Sequence, residues 1–387
     1  MDKLYLECGY SSLNKKNEEL CGDRVEYIDD GQYITLVLSD GLGSGVKANI
    51  LATLTSKILC CLVSNNIDMQ ECIETIVQTL PVCKVRHVAY STFSVVHVSK
   101  EGKGFLFEFD NPEAIYYHQG KFCDFERVEH VYCDKKVYVS SLNLEENDAI
   151  FLISDGVIHA GVGQVLNLGW DRAEIKNFLK DSIIPDMSAR CMSNILCGAC
   201  HDLYIGEPGD DTTVACIKIR KEYPVQLMIG PPIDSSNDDY WVQKFMELDG
   251  KKIVCGGTTS HIVADYLDKE VIASCEFIDK DIPPTATIEG IDIVTEGVLT
   301  LRKLLELSEK YLSVSDMSPK YYRALDGASM LADMLFEKAT HIVFFVGQGI
   351  NPAHQGLPIE STMKMKLVEN LTKNLQEMGK QIEIIYD

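Results

Sequence analysis

The sequence predicts two domains of different class. Residues 1–221 read as an α+β domain, an antiparallel sheet packed with helices, and residues 222–387 as a three-layer α/β domain with a mostly parallel sheet. Three observations predict this. The 387 residues suit two domains. The first part places β-rich runs and tight turns around a helical middle, whereas the second alternates short apolar strands with helices. Between them the strand-like run 212–219 ends in Arg220-Lys221-Glu222-Tyr223-Pro224, a charged triplet closed by proline that reads as a strand end and linker.

The elements follow in order. Residues 4–10, 25–28 and 33–38 are β-rich, and Asp29-Asp30-Gly31 joins the last two as a hairpin. Helical apolar spacing covers 45–63 and 69–80. Strand character returns at 91–98, 104–109, 114–118, 137–139 and in the short buried run 149–153. Helices are expected over 171–179 and 187–203, and a strand closes the domain at 214–219. In the second domain, strands are expected at 252–255, 271–273, 292–294, 341–346 and 382–386. Helices at 261–267, 300–311, 327–337 and 362–378 lie between them.

Composition narrows the function. Hydrophobic residues at 46% and charged residues at 24% exclude a wholly disordered chain, and 27 Gly with 12 Pro exclude a collagen-like one. Asp and Glu number 58 against 36 Lys and Arg, a net charge of −22. Such a surface repels nucleic acid and anionic membranes, so neither is expected as a partner. No apolar run approaches the ~18 residues of a membrane span, and Met1-Asp2-Lys3-Leu4 lacks a signal pattern. The expected location is cytoplasmic. The 14 cysteines are then reduced thiols, mostly buried. The one CxxC, Cys197 to Cys200 with Cys191 upstream, falls in a helical stretch and lacks the four ligands of a structural zinc site. A redox or iron–sulfur sensor built on these three is the alternative that colour or bound iron would reveal.

Four acidic spots share one context, a strand end beside a turn. They are Asp23 in Gly22-Asp23-Arg24, Asp40 in Leu38-Ser39-Asp40-Gly41, Asp155 in Ile153-Ser154-Asp155-Gly156, and the pair Asp210-Asp211 before Thr212-Thr213-Val214. The second and third are nearly the same phrase. A glycine permits close backbone approach, so the Gly41 carbonyl is a further candidate oxygen ligand. Carboxylates, carbonyls and water suit Mg²⁺ or Mn²⁺, not zinc. Any one Asp-Gly pair reads equally as a turn; the set together does not.

This set resembles the metal-dependent serine/threonine phosphatases of type 2C, in particular the bacterial stage II sporulation protein E branch, over most of residues 1–221. The resemblance implies an α-β-β-α sandwich with a two-metal centre at one end, using two Mn²⁺ or Mg²⁺ ions and allowing a third. It implies that Asp40 bridges both ions, that Gly41 adds its carbonyl, that Asp155 and Asp210 complete one shell and that Asp23 serves the other. Asp40 and Asp155 are then the catalytic pair, and Asp211, where the wider family often has Asn, is an outer or third-metal acid. Two departures concern substrate handling. Ser44 stands where the branch usually has His, and Asn111 in Asp110-Asn111-Pro112-Glu113 stands in a run that usually carries a later Gly. Both are candidate substrate-binding residues.

The expected reaction is hydrolysis of phosphoserine and phosphothreonine by a water that two cations activate; no Cys-x5-Arg phosphatase loop is present. The resemblance further implies a phosphoprotein partner of the small regulatory-switch kind and a homodimer. The alternative is a regulatory binding protein with this fold and no turnover. The second domain says less. Gly256-Gly257-Thr258-Thr259-Ser260 either presents amides and hydroxyls to an anion at a helix start or supplies a helix cap. With the loop after residue 346 it would line a crevice if both lie at one sheet edge. A sensor or partner-docking role is expected for 222–387.

Overall fold

The computed structural model describes residues 4–79, 91–132, 135–274, 284–313, 326–349 and 358–387. The chain divides into two compact units, residues 1–221 and 222–387.

Unit 1 contains eleven strands among the described residues. They are β1 (Leu4–Leu13), β2 (Asp23–Asp29), β3 (Tyr33–Gly41), β4 (Ser91–Ser99), β5 (Lys103–Phe109), β6 (Ile115–His118), β7 (Lys121–Cys123), β8 (Val128–Tyr132), β9 (Lys135–Asn143), β10 (Ala149–Ile153) and β11 (Thr212–Lys221). Its helices are α1 (Gly45–Ser64), α2 (Met69–Thr79), α3 (Asp155–Ile158), α4 (Arg172–Ser182) and α5 (Ala189–Leu203). The strands form two antiparallel sheets, ordered β1-β11-β10-β6-β7 and β2-β3-β4-β5-β9-β8.

Period-two alternation builds the layers. In β3, Leu36 and Leu38 join Leu6, Ile150, Leu152, Ala215 and Ile217 in the core between the sheets. Val37, between them, faces the other way with Val95, Phe93 and Phe107, and packs on Leu59, Val63, Ile73 and Ile76 of α1 and α2. Helix α5 packs on β1 and β11. The result is helix, sheet, sheet, helix. The expected hairpin forms: Asp29 accepts from the Gly31 amide (2.8 Å), and Asp30 accepts from Gln32 and Tyr33 (2.9 and 2.7 Å). A capping box between Asp171 and Glu174 opens α4, and Ser188 accepts from Cys191 to open α5.

Helix α1 differs from expectation in one respect. Its 20 residues are long and apolar enough to cross a membrane by length and composition. Its inner face nevertheless packs into unit 1, with Ala48, Ala52, Leu59 and Val63 buried. Because Ala, Thr, Ser and Cys interrupt the larger residues, the sequence shows only short apolar runs there. The short strands β7 and β8 were not anticipated, since exposed edge strands carry little hydrophobic alternation.

Unit 2 comprises β12 (Pro224–Ile229), α6 (Asp238–Glu247), β13 (Lys251–Cys255), α7 (Gly257–Leu267), β14 (Ile272–Ala273), β15 (Ala286–Thr287), β16 (Ile293–Thr295), α8 (Val298–Leu312), α9 (Gly327–Ala332), β17 (His341–Val346), α10 (Pro358–Glu377) and β18 (Gln381–Tyr386). One sheet runs β14-β15-β16-β13-β12-β17-β18. The five strands from β16 to β18 are parallel, and β15 is antiparallel to both neighbours. The expected linker shrinks to Glu222 and Tyr223, because β11 continues to Lys221 and Pro224 opens β12. Proline is compatible with the first residue of a strand, and reading it as a breaker hid both β12 and α6.

Candidate active site

The acidic residues come from both sheets. The β2–β3 register sets Asp23 directly opposite Asp40. In the other sheet, β10 ends at Ile153 and Asp155 is the first residue of α3. Ser154 ties this junction to the start of β11, its amide donating to Thr213 O (3.0 Å) and its Oγ accepting from the Thr213 amide (2.8 Å). That ladder places Asp155 beside Asp210 and Asp211.

Both glycines of the repeated phrase are demanded by backbone packing. A Cβ on Gly41 would lie 2.1 Å from Ala48 O in α1, and one on Gly156 would lie 2.1 Å from Asp211 O and 2.5 Å from Thr212 Oγ1. The Gly156 carbonyl accepts from the Tyr204 hydroxyl (2.8 Å). The close approach expected of these residues is therefore an approach to protein backbone.

The acids press on one another. Burial, then Asp23, Asp155, Asp210 and Asp211, push the Asp40 carboxyl up to about 9. Burial, helped by Asp211 and Asp155, pushes Asp23 up to about 7, while the Ser154 and Thr213 hydroxyls pull against it. Asp155 is raised by burial and Asp210, with His159, a hydrogen bond from Asp40 and the Gly156 amide opposing. Asp211 is raised by burial and Asp210, opposed by the amides of Lys15 and Gly22. Asp23 is only 4% exposed, and its oxygens and Asp211 Oδ2 are buried without a well-aligned hydrogen bond, although the Ser154 and Thr213 hydroxyls stand near Asp23 and the Gly22 amide near Asp211.

Buried, poorly bonded carboxylate oxygens among mutually repelling acids fit a hard divalent cation, whose charge removes the repulsion and whose shell takes oxygen. Among the described residues, no three His, Cys, Asp or Glu side chains are gathered closely enough to hold an ion unaided. Asp40 and Asp155 come within hydrogen-bonding reach of each other, and the remaining acids act on them from further off.

Three neighbours were missed by sequence reasoning. The Lys15 amide donates to Asp211 Oδ1 (3.0 Å) and its Nζ to Asp210 Oδ1 (3.2 Å). Glu18 accepts from the Ser44 hydroxyl (3.0 Å). Tyr204 holds the Gly156 carbonyl. The stretch Asn14-Lys15-Lys16-Asn17-Glu18-Glu19 reads as a solvated charged turn, so only the fold reveals its place. Of the two residues expected to handle substrate, Ser44 is thus engaged by Glu18. Asn111, 9% exposed, is clamped to β4: its Oδ1 accepts from Thr92 Oγ1 (2.5 Å) and its Nδ2 donates to Ser94 Oγ (3.2 Å).

The cysteine cluster carries no exposed thiol. Cys191, Cys197 and Cys200 lie buried on α5, and burial raises Cys197 to about 12 and Cys200 well above the usual thiol range. Of the 14 cysteines, Cys83, Cys133 and Cys275 lie outside the described residues. In unit 2, Gly256 (φ 114°) is itself the N-cap of α7, without a side-chain cap, so the expected capping by Thr258, Thr259 or Ser260 does not occur. Thr259 Oγ1 instead accepts from the Gly230 amide (3.0 Å), and Ser260 Oγ donates to Gly256 O (2.8 Å). Gly257 and Thr258 follow at the start of the helix. The loops after β12 and β17 close on each other, Gly347 and Gly349 donating to Ile229 O and Pro231 O (2.9 and 3.0 Å). Residues 350–352 of the second expected loop lie outside the described residues.

Comparison with known proteins gives the following. Residues 30–220 match the family described as Stage II sporulation protein E (SpoIIE). No curated protein matches the sequence. Among solved structures, the PP2C phosphatase domain with a fragment of the regulatory domain of the cell fate determinant SpoIIE from Bacillus subtilis is 19% identical, with a TM-score of 0.49; the match covers 57% of this chain and 66% of that one. The RsbU and RsbW domains of a Mycobacterium tuberculosis protein are 16% identical (TM-score 0.45), covering 63% and 70%. RsbX in complex with magnesium is 18% identical (TM-score 0.41), covering 57% and 100%. The family match lies inside unit 1 and spans Asp40, Asp155, Asp210 and Asp211, so the first unit of this chain is similar to the SpoIIE family over those residues.

Proposed function

We propose that unit 1 is a Mn²⁺- or Mg²⁺-dependent protein phosphatase acting on phosphoserine and phosphothreonine in bacterial signalling. The observation that supports it is the meeting of two Asp-Gly strand ends, one from each sheet, with Asp23, Asp210 and Asp211 around them. Asp40, Asp155, Asp23, Asp210 and the Gly41 carbonyl are the residues that would hold the ions, with Asp211 behind them. Bound divalent ions supply Lewis acidity, which offsets charge on the phosphoryl oxygens and makes water acidic enough to attack near neutral pH. The chain itself supplies position. The β2–β3 ladder fixes Asp23 against Asp40, the Ser154–Thr213 pair fixes Asp155, and Lys15 orients Asp210 and Asp211.

The test is phosphate release from a phosphoserine peptide and from p-nitrophenyl phosphate, with and without Mn²⁺. Asp40→Asn and Asp155→Asn are expected to lose at least ~100-fold in rate, the scale for removing one preorganised charge-stabilising group. Unchanged rates in both variants would refute the assignment; Mn²⁺ binding without turnover in the unaltered protein would make it a regulatory binder instead.

Two further proposals concern partners. The exposed stripe Val46, Ile50 and Leu54 of α1 (60%, 52% and 45% exposed) supports a homodimer. Unit 2, an α/β unit joined to the catalytic one, is proposed as a sensor or docking unit, tested by whether its removal alters activity or specificity.

A further inference from the structure

A cavity of about 340 Å³ opens in unit 1 beside the acidic cluster. Its apolar walls are Ile153, Ile158, Leu168 and Trp170, and Glu113, His159, Asp171 and Arg172 line its polar side. Ile153 is the last residue of β10 and Ile158 the last of α3, so the junction that carries Asp155 also forms one wall of the cavity.

The walls are firmly held. The Trp170 amide donates to Ile158 O (2.8 Å), and the indole, 8% exposed, packs edge-on to Phe178 at 5.3 Å. Arg172 is neutralised: it pairs with Glu113 (2.9 Å) and Asp124 (2.7 Å) and donates to Ala114 O (2.8 Å). With two carboxylates on it, Arg172 is not a free phosphate receptor. Leu168, by contrast, is 95% exposed. A large apolar side chain left almost wholly in water at the mouth of an apolar cavity gains by being covered.

We propose that this cavity takes an apolar side chain, of Leu, Met or Phe size, from the phosphoprotein substrate, within a few residues of the phosphorylated one, and that Leu168 and Trp170 set this preference. The inference rests on the phosphatase reading of the same unit. The occupant follows from position and size. A phosphorylated residue at Asp40 and Asp155 lays its neighbours over the adjoining surface, since an extended chain advances only ~3.3–3.6 Å per residue. The volume lies at the small end of the ~300–1,000 Å³ range of ligand pockets, enough for one large side chain. The apolar walls, the neutralised Arg172 and the carboxylates of Glu113 and Asp171 disfavour an acidic one.

The experiment uses the full chain with Mn²⁺ and two readouts. The first is kcat/KM on phosphoserine peptides that differ at one flanking position, Leu or Phe against Asp or Gly, with p-nitrophenyl phosphate as the reference that carries no flanking residue. A preference of about tenfold or more for Leu or Phe is expected, the scale of apolar-pocket discrimination. Leu168→Asp, at an exposed position where folding is insensitive, is expected to erase the preference and leave the p-nitrophenyl phosphate rate unchanged. The second is Trp170 fluorescence in a Trp241→Phe background, titrated with the same peptides. The Leu peptide is expected to shift the emission and the Asp peptide not to. Equal rates on all peptides, a preference that survives Leu168→Asp, or equal fluorescence responses would overturn the proposal. So would a Leu168→Asp variant whose main effect is to split a dimer, which would make the face an interface between copies. Absence of turnover on every substrate would sink the phosphatase reading, while the fluorescence titration would still decide the cavity.

Discussion

Replacing Gly156 by Ala tests whether the repeated Asp-Gly phrase is a packing requirement or only a turn. The new Cβ would lie 2.1 Å from Asp211 O and 2.5 Å from Thr212 Oγ1. An ordinary contact needs more than 3 Å, so about 1 Å must be found between α3 and the start of β11. The first obstacle is backbone and cannot rotate aside. Overpacking of this kind costs roughly 1–3 kcal/mol, and a backbone clash belongs at the upper end. For a unit of this size, each kcal/mol lowers Tm by roughly 2–4 °C, so a fall of about 6–12 °C is expected. The same shift moves Asp155 away from Asp210 and Asp211, so the Mn²⁺ concentration giving half-maximal activity should rise as well. The control is Gly198→Ala in α5, where a Cβ meets nothing within 4 Å. There the helix should gain roughly 0.5–1 kcal/mol. Thermal denaturation of both variants, with Mn²⁺ titration of phosphatase rate, decides the matter. A Gly156→Ala variant as stable and as responsive to Mn²⁺ as the Gly198→Ala variant would refute the packing argument.

Other outcomes follow from single groups. Lys218 is fully buried and donates to the carbonyls of Pro185 and Met187, and burial lowers it from 10.5 to about 8. Between those values the unfolded chain holds a proton that the folded one does not, so this group's contribution to stability rises with pH across that window, by about 3 kcal/mol at most. Urea denaturation of the native protein and a Lys218→Met variant should show their difference changing between pH 8 and 10.5; a constant difference rules this out. Ile50→Glu on the exposed face of α1 should convert a dimer to a monomer in light scattering without loss of fold, and an unchanged mass would remove α1 from the interface. Among the described thiols, Cys61 is exposed, and it should react first with a disulfide reagent. Cys191, Cys197 and Cys200 should react only after denaturant is added, and prompt reaction of any of them would restore a redox reading.

The legible parts of this protein were those carried by local pattern. Asp40 and Asp155 stood out because an apolar run, a Ser and an Asp-Gly pair recur, and each word of that phrase has a local meaning. The helices with caps, such as α4 behind Asp171, were legible for the same reason. What stayed hidden depends on contacts far along the chain. Lys15 meets Asp211 across 196 residues of sequence, and nothing near Lys15 distinguishes it from a solvated lysine. Thr259 looked like a cap because its neighbours look like a helix start, yet its hydroxyl is taken by Gly230. Strand β12 was lost to Pro224, whose local meaning as a breaker is overridden when the proline sits at the strand's first position.

The acids of this site are brought together by the scaffold and not by any attraction among themselves. Left free, like charges would separate, or one would remain protonated. Here Asp23 is held by ladder pairing with Asp40, Asp155 by the Ser154–Thr213 bonds, and Asp211 by the Lys15 amide. The glycines let backbone press on backbone at both strand ends, so the elements that carry the acids cannot drift apart. Lys15 offsets part of the charge on Asp210, but Asp23 has only the Ser154 and Thr213 hydroxyls near it and no cation. Burying a carboxyl with so little hydrogen bonding is costly. Rigid support for mutually repelling carboxyls is what the proposed ion-dependent site would require, its compensating charge coming from solution.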